Sequence, residues 1–192
     1  MKLLGGVLLS LVAPVVVAEG FERQLESHEH GKADMAVVLE GSELQIEISS
    51  PAANIVGFEH APVDEQQQQA LTSVIAQLKQ PERLFVFPEG SACNTVLAEV
   101  ETTLVDSHDE HEHENEHEAG HDHEGDRDRE GSDHSDFMLS YQFHCGSAEL
   151  LNGFSLELFQ YYPQMKHLQV QLIGPAGQSY QQLDSENRWV SF

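Results

Sequence analysis

Apolar and polar residues alternate with period two along much of this chain, the pattern of strands that bury one face. Ala33, Met35, Val37 and Leu39 hold alternate positions between Lys32 and Leu39. Gly41-Ser42 then marks a turn, and Leu44, Ile46 and Ile48 alternate with Glu43, Gln45 and Glu47. The two runs predict a hairpin with one wet face, ended by Pro51. Asn54 to Pro62 reads as a loop. From Val63 to Gln80 the period changes: Ala70, Leu71, Val74, Ile75 and Leu78 form an apolar stripe beside a Gln-rich face, which predicts a helix stopped by Pro81. Leu84 to Phe87 reads as a short strand. Thr95 to Val105 reads as another, with Val96, Ala98, Val100 and Thr102 on one face. The clearest strand is Asp136 to Cys145. Phe137, Leu139, Tyr141, Phe143 and Cys145 share one face, and Met138, Ser140, Gln142 and His144 the other. Phe154 to Gln160, His167 to Ile173, the turn Gly174-Pro175-Ala176-Gly177 and a last strand Ser179 to Leu183 complete the pattern. The fold class this predicts is α+β: a single domain of mostly antiparallel strands with one main helix packed on a face.

Two segments stand outside the alternation. Lys2 followed by the uncharged apolar stretch Leu3 to Val17, with Val16 and Ala18 at small-residue positions, predicts a signal peptide over residues 1–18. The stretch is short for a membrane span of about 20 residues. Residues 19–192 are then expected to form the mature domain, exported and not embedded in the membrane. The second segment is residues 106–134. It carries seven histidines (His108, His111, His113, His117, His121, His123, His134) among acidic residues, with Ala119 its only apolar side chain. Such a stretch has nothing to bury, so it is expected to be a disordered loop inserted between strands.

The formal charge is −24, and fourteen acids against two arginines between Asp106 and Asp136 supply half of it. A chain this acidic is a poor partner for nucleic acid and a good one for cations. Cys93 and Cys145 are the only cysteines. An even count in an exported chain favours one disulfide, stabilising by about 4 kcal/mol on the chain-entropy model. It would enclose the His-rich segment and hold both of its feet on the body. The alternative, a two-thiol metal site, is disfavoured in an oxidising compartment.

Imidazole suits zinc, copper and nickel, and carboxylates add charge and oxygen ligands. The seven loop histidines therefore read as a secondary metal site, weak because mobile ligands must be ordered, and losing metal as pH falls towards about 6. His113 to His117 and His117 to His121 both fit the metalloprotease string H-E-x-x-H, but they lack the apolar face that packs such a helix into a core. Asp126, Asp128, Glu130 and Gly131 begin like a calcium-binding loop, yet its twelfth position is Phe137 rather than Glu. On the body, His28 and His30 point the same way in an extended chain, about 6.7 Å apart. His60 sits beside Glu59, and His144 lies on the polar face of its strand. His167 has no such company and reads as an ordinary surface imidazole.

These residues carry a resemblance. His28-Glu29-His30-Gly31, Ser50-Pro51-Ala52, Gly57-Phe58-Glu59-His60-Ala61-Pro62, Cys93, the His/Asp-rich insertion, Tyr141-Gln142-Phe143-His144-Cys145 and Gly174-Pro175-Ala176-Gly177-Gln178 occur in one order over nearly the whole mature chain. In that order the chain resembles the ZrgA-like periplasmic zinc-binding proteins. The resemblance implies a zinc-binding protein without enzymatic activity, serving import across the inner membrane, with an ABC-type zinc transporter as partner. It implies a folded-body zinc site at His28, His30, Glu59, His60 and His144, beside the weaker loop. His30, His60 and His144 are the expected direct ligands, Glu59 a ligand or its hydrogen-bonded support, and Asp136 an outside candidate. The alternatives are a periplasmic buffer or sensor for copper or nickel, and a zinc hydrolase in which the same histidines hold an activated water.

Overall fold

The computed structural model describes residues 29–105 and 135–192. The predicted signal peptide and the predicted 106–134 loop lie outside the described residues. The alternation at the start of the domain becomes the hairpin of β1 (Lys32–Glu40) and β2 (Glu43–Pro51). Gly41 makes its turn at φ +59°, which only glycine adopts freely. Register pairs Met35 with Ile48, Val37 with Ile46 and Leu39 with Leu44, so all six side chains enter the core.

The chain continues through α1 (Ala52–Ile55), α2 (Glu65–Leu78), β3 (Phe85–Val86), β4 (Cys93–Thr102), β5 (Asp136–Cys145), β6 (Gly153–Leu156), α3 (Leu158–Tyr161), β7 (His167–Gly174), β8 (Gly177–Leu183) and β9 (Trp189–Ser191). Six strands form one sheet in the order β4-β5-β2-β1-β7-β8, and β3-β6-β9 form a small second sheet. Every neighbouring pair is antiparallel except β1 with β7, which run parallel. The domain is thus β-rich and mixed, with α2 its one long helix.

One face of the large sheet is the core. Phe137, Leu139, Tyr141, Phe143 and Cys145 are buried on it, as their spacing predicts. The second sheet meets it through Phe85, whose ring stands edge-on to Tyr141, Phe143 and Phe154 at 4.9, 5.5 and 5.8 Å. Helix α2 starts where Asp64 accepts the Gln67 backbone N–H at 2.8 Å, and it buries Leu71 and Leu78. Val74 and Ile75 are half-buried beside them, and Ala70 is exposed.

The structure departs from the sequence reading in several places. The predicted Asn54–Pro62 loop begins inside α1, because Pro51 supplies a fixed φ and buried Ala52 and Ile55 give one helical turn its apolar side. Val96 does not share a face with Ala98 and Val100: a bulge between Thr95 and Leu97 leaves it unpaired and 61% exposed. The predicted Phe154–Gln160 strand splits into β6 and α3. β9 is an addition with no apolar alternation long enough to announce it. The disulfide is formed, with an S–S distance of 2.02 Å, but Cys93 faces Cys145 at one end of the β4–β5 ladder. The chain leaves β4 and re-enters β5 at the other end, where Thr102 faces Phe137. The Thr102–Phe137 pair, nearest the described residues that flank 106–134, therefore lies about 30 Å of strand from the disulfide.

Candidate metal centre

The end of the sheet where β1 begins and β2 stops carries most of the predicted ligands that are described. His30 lies two residues before β1, and its Nε2 is 3.0 Å from Glu59 Oε1. An ionised carboxylate only accepts, so Nε2 carries the proton, and in the neutral ring Nδ1 keeps the lone pair. The two partners differ in setting: the His30 side chain is 65% exposed and the Glu59 side chain 11%. Glu59 comes from the turn after α1, where Gly57 takes φ +88°. Phe58 packs on the core and stacks on the His60 ring, centroids 5.3 Å apart. His60 Nδ1 lies 2.9 Å from the Ala61 carbonyl. A carbonyl also only accepts, so Nδ1 carries the proton and Nε2 is the nitrogen left to bind a metal.

The backbone around His30 is held by a residue outside the predicted set. Asn54, 2% exposed, accepts the Gly31 N–H through Oδ1 at 2.6 Å and donates through Nδ2 to the Lys32 carbonyl at 2.7 Å. No spacing rule marks such a residue; a polar side chain within a short apolar helix is the only sequence signal. Asp136 stands at this same sheet end, opposite Pro51, and the Ala52 N–H donates to the Ser135 carbonyl at 2.8 Å.

His144 does not join this group. It faces Glu43 at the other end of β2, where its Nδ1 is 2.7 Å from Glu43 Oε1. Glu43 in turn faces Glu40, so His144 and His30 are separated by roughly the length of β1, about 30 Å. One ion cannot bridge that span. His167 lies opposite Lys32, with Nδ1 3.3 Å from Gln182 Nε2. The Asn187 and Glu186 backbone N–H groups, with a smaller effect from His167, hold the Asp184 carboxyl below the usual range. His28 and the seven loop histidines, His108 to His134, lie outside the described residues.

Among the described residues, no three His, Cys, Asp or Glu side chains converge closely enough to enclose a metal ion. The sheet end instead presents two imidazoles and a carboxylate, the donor types zinc takes, with one imidazole already oriented by the carboxylate. Among the described residues no helix is long and apolar enough to cross a membrane.

A family model described as ZrgA family zinc uptake protein matches residues 27–192. No curated protein matches the chain.

Proposed function

The chain belongs to the ZrgA family of zinc uptake proteins, and from that premise we propose that it captures zinc in the periplasm and hands it to an inner-membrane importer of the ABC type. The capturing site on the folded body is the cluster His30, Glu59 and His60, with His28 as the further imidazole. The observation that carries this assignment is the His30–Glu59 contact, which joins segments 29 residues apart in sequence. A carboxylate on one ring nitrogen fixes the tautomer and raises the basicity of the other, the arrangement that supports a metal-binding histidine. Glu59 stays in that supporting role or turns its second oxygen onto the ion. His60 contributes Nε2 after its ring leaves Phe58.

The seven histidines of the 106–134 segment gather zinc more weakly and feed this site. Geometry supports the pairing of the two. The segment departs from the described body near Thr102 and returns at Ser135, and Ser135 is hydrogen-bonded to Ala52, two residues before Asn54. The described residues that flank the segment and the body site thus share one end of the sheet. His144, at the opposite end, is left out of the tight site.

Zinc titration by calorimetry tests this on the exported chain. Wild type is expected to show one tight step followed by weaker ones. His30→Ala, or His60→Ala, removes the tight step, whereas His144→Ala keeps it. Identical titrations for wild type and His30→Ala would assign all binding to the loop and overturn the body site. A tight step lost in His144→Ala would move the site to the other end of the sheet.

A further inference from the structure

We infer that Asn54 is a positioning residue for the metal centre, setting where His30 stands; this rests on the zinc-capture reading above. An imidazole as exposed as that of His30 has little packing to orient it, so its place is decided by Glu59 and by its own backbone. That backbone is pinned immediately after the ring. The Gly31 N–H donates to Asn54 Oδ1 at 2.6 Å, and the Gly31 carbonyl accepts from the Lys166 and His167 N–H groups at 2.8 and 2.9 Å. Gly31 takes φ +87°, a conformation that favours glycine, at the bend between His30 and β1. Asn54 then grips the next residue through the Lys32 carbonyl, and its Nδ2 also reaches Ser50 Oγ at 3.2 Å.

Both Asn54 and Ser50 are buried, at 2% and 0% exposure. The amide therefore ties three pieces together with all of its short bonds spent: the His30-Gly31-Lys32 segment, the end of β2 and helix α1. Helix α1 is also the element that leads into the Gly57–Pro62 turn bearing Glu59 and His60. One amide thus fixes the relative placement of the two ligand-bearing segments, without itself touching the ion. Groups that orient a metal ligand typically change affinity 10–100-fold when removed.

The test is zinc calorimetry on the exported chain carrying Asn54→Ala, Asn54→Asp, His30→Ala, or Leu39→Ala as a control. Asn54→Asp keeps the acceptor for Gly31 and loses both donors. Leu39→Ala lowers stability from the far end of the hairpin. Asn54→Ala is expected to weaken the tight step about tenfold or more and Asn54→Asp by less, with the weaker steps unchanged. Leu39→Ala should lower the melting temperature comparably and leave the tight step in place. The visible spectrum of cobalt bound in place of zinc should change in Asn54→Ala and not in Leu39→Ala. A tight step within twofold of wild type in both Asn54 variants, with His30→Ala still abolishing it, overturns the role of Asn54 and leaves the site standing. A tight step that survives His30→Ala overturns the site, and the role of Asn54 with it.

Discussion

Two buried tyrosines show how a single oxygen decides the value of a residue. The Tyr141 hydroxyl donates to the Leu78 carbonyl at 2.9 Å, closing one of the open carbonyls at the end of α2. Tyr141→Phe strands that carbonyl in the core and should lower the unfolding free energy by about 1–2 kcal/mol in a urea melt. The Tyr162 hydroxyl is buried too, but among the described residues it has no hydrogen-bond partner. Tyr162→Phe is expected to be neutral or stabilising by up to about 1 kcal/mol. Burial pushes the Tyr162 hydroxyl up to about 12, against the pull of Arg83, and pushes Tyr141 higher still. Both folded values lie above the unfolded value near 10, so their contribution is fully present below about pH 10 and is lost as pH rises through 12. Urea melts between about pH 9 and pH 12 should show the fall, and Tyr162→Phe should blunt it. At this scale the candidate site was partly legible. His30, Glu59 and His60 announce themselves by residue type. Asn54 does not, because its role lies in two hydrogen bonds to the Gly31-Lys32 segment, 23 and 22 positions away in sequence. The separation of His144 from His30 was hidden for a related reason: facing Glu43 is a matter of register, which alternation alone does not fix.

At the scale of elements, runs of unbroken alternation were legible because their period leaves one solution, whereas the bulge at Val96 put the start of β4 out of step with its pattern. β5 keeps the predicted bounds Asp136 to Cys145, and the β1–β2 hairpin turns at Gly41-Ser42 as its pattern requires. Of the short elements, β3 was read within Leu84 to Phe87, but α1, α3 and β9 escaped, since three or four residues carry no period. The second sheet consists of such pieces, and its tightest point is Gly153 in β6. That residue sits at φ +152°, and a Cβ there would stand 2.2 Å from the Val190 carbonyl oxygen and 2.8 Å from the Trp189 ring. β6 and β9 must separate to admit it. Gly153→Ala is therefore expected to cost at least about 2 kcal/mol, seen as a lower melting temperature with increased amide exchange at Phe154 and Val190. The disulfide acts on a different element, the β4–β5 ladder, whose far end it locks with the cysteines 52 positions apart. Replacing both cysteines by serine should remove about 2–5 kcal/mol while leaving the Thr102–Phe137 end paired. The tight zinc step, which belongs to that other end, should survive wherever the protein stays folded.

At the scale of the whole molecule, the decisive quantity is charge. A formal charge of −24 on 192 residues makes a field that draws divalent cations from every direction and that salt screens over about 8–10 Å. Thirteen acids and two arginines lie in residues 106–134, so this one segment holds nearly half of the net charge together with seven of the twelve histidines. The body shows the same bias: Asp34, Glu47, Glu99 and Glu101 lie on the outer face of the large sheet, opposite the buried core face. Charge of this kind governs the rate of encounter more than the strength of the final site, because the tight site is defined by a few oriented nitrogens and oxygens. The two contributions are separable by deletion. A chain lacking residues 106–134 should bind fewer zinc ions per molecule and keep its tight step. It should also load that step more slowly at low salt, with a shallower loss of rate as ionic strength rises from about 10 to 150 mM. Stopped-flow competition against a fluorescent zinc chelator measures both slopes. Equal rates and equal salt dependence with and without the segment would mean that its charge does not guide zinc to the body, and that its histidines act only as a separate store.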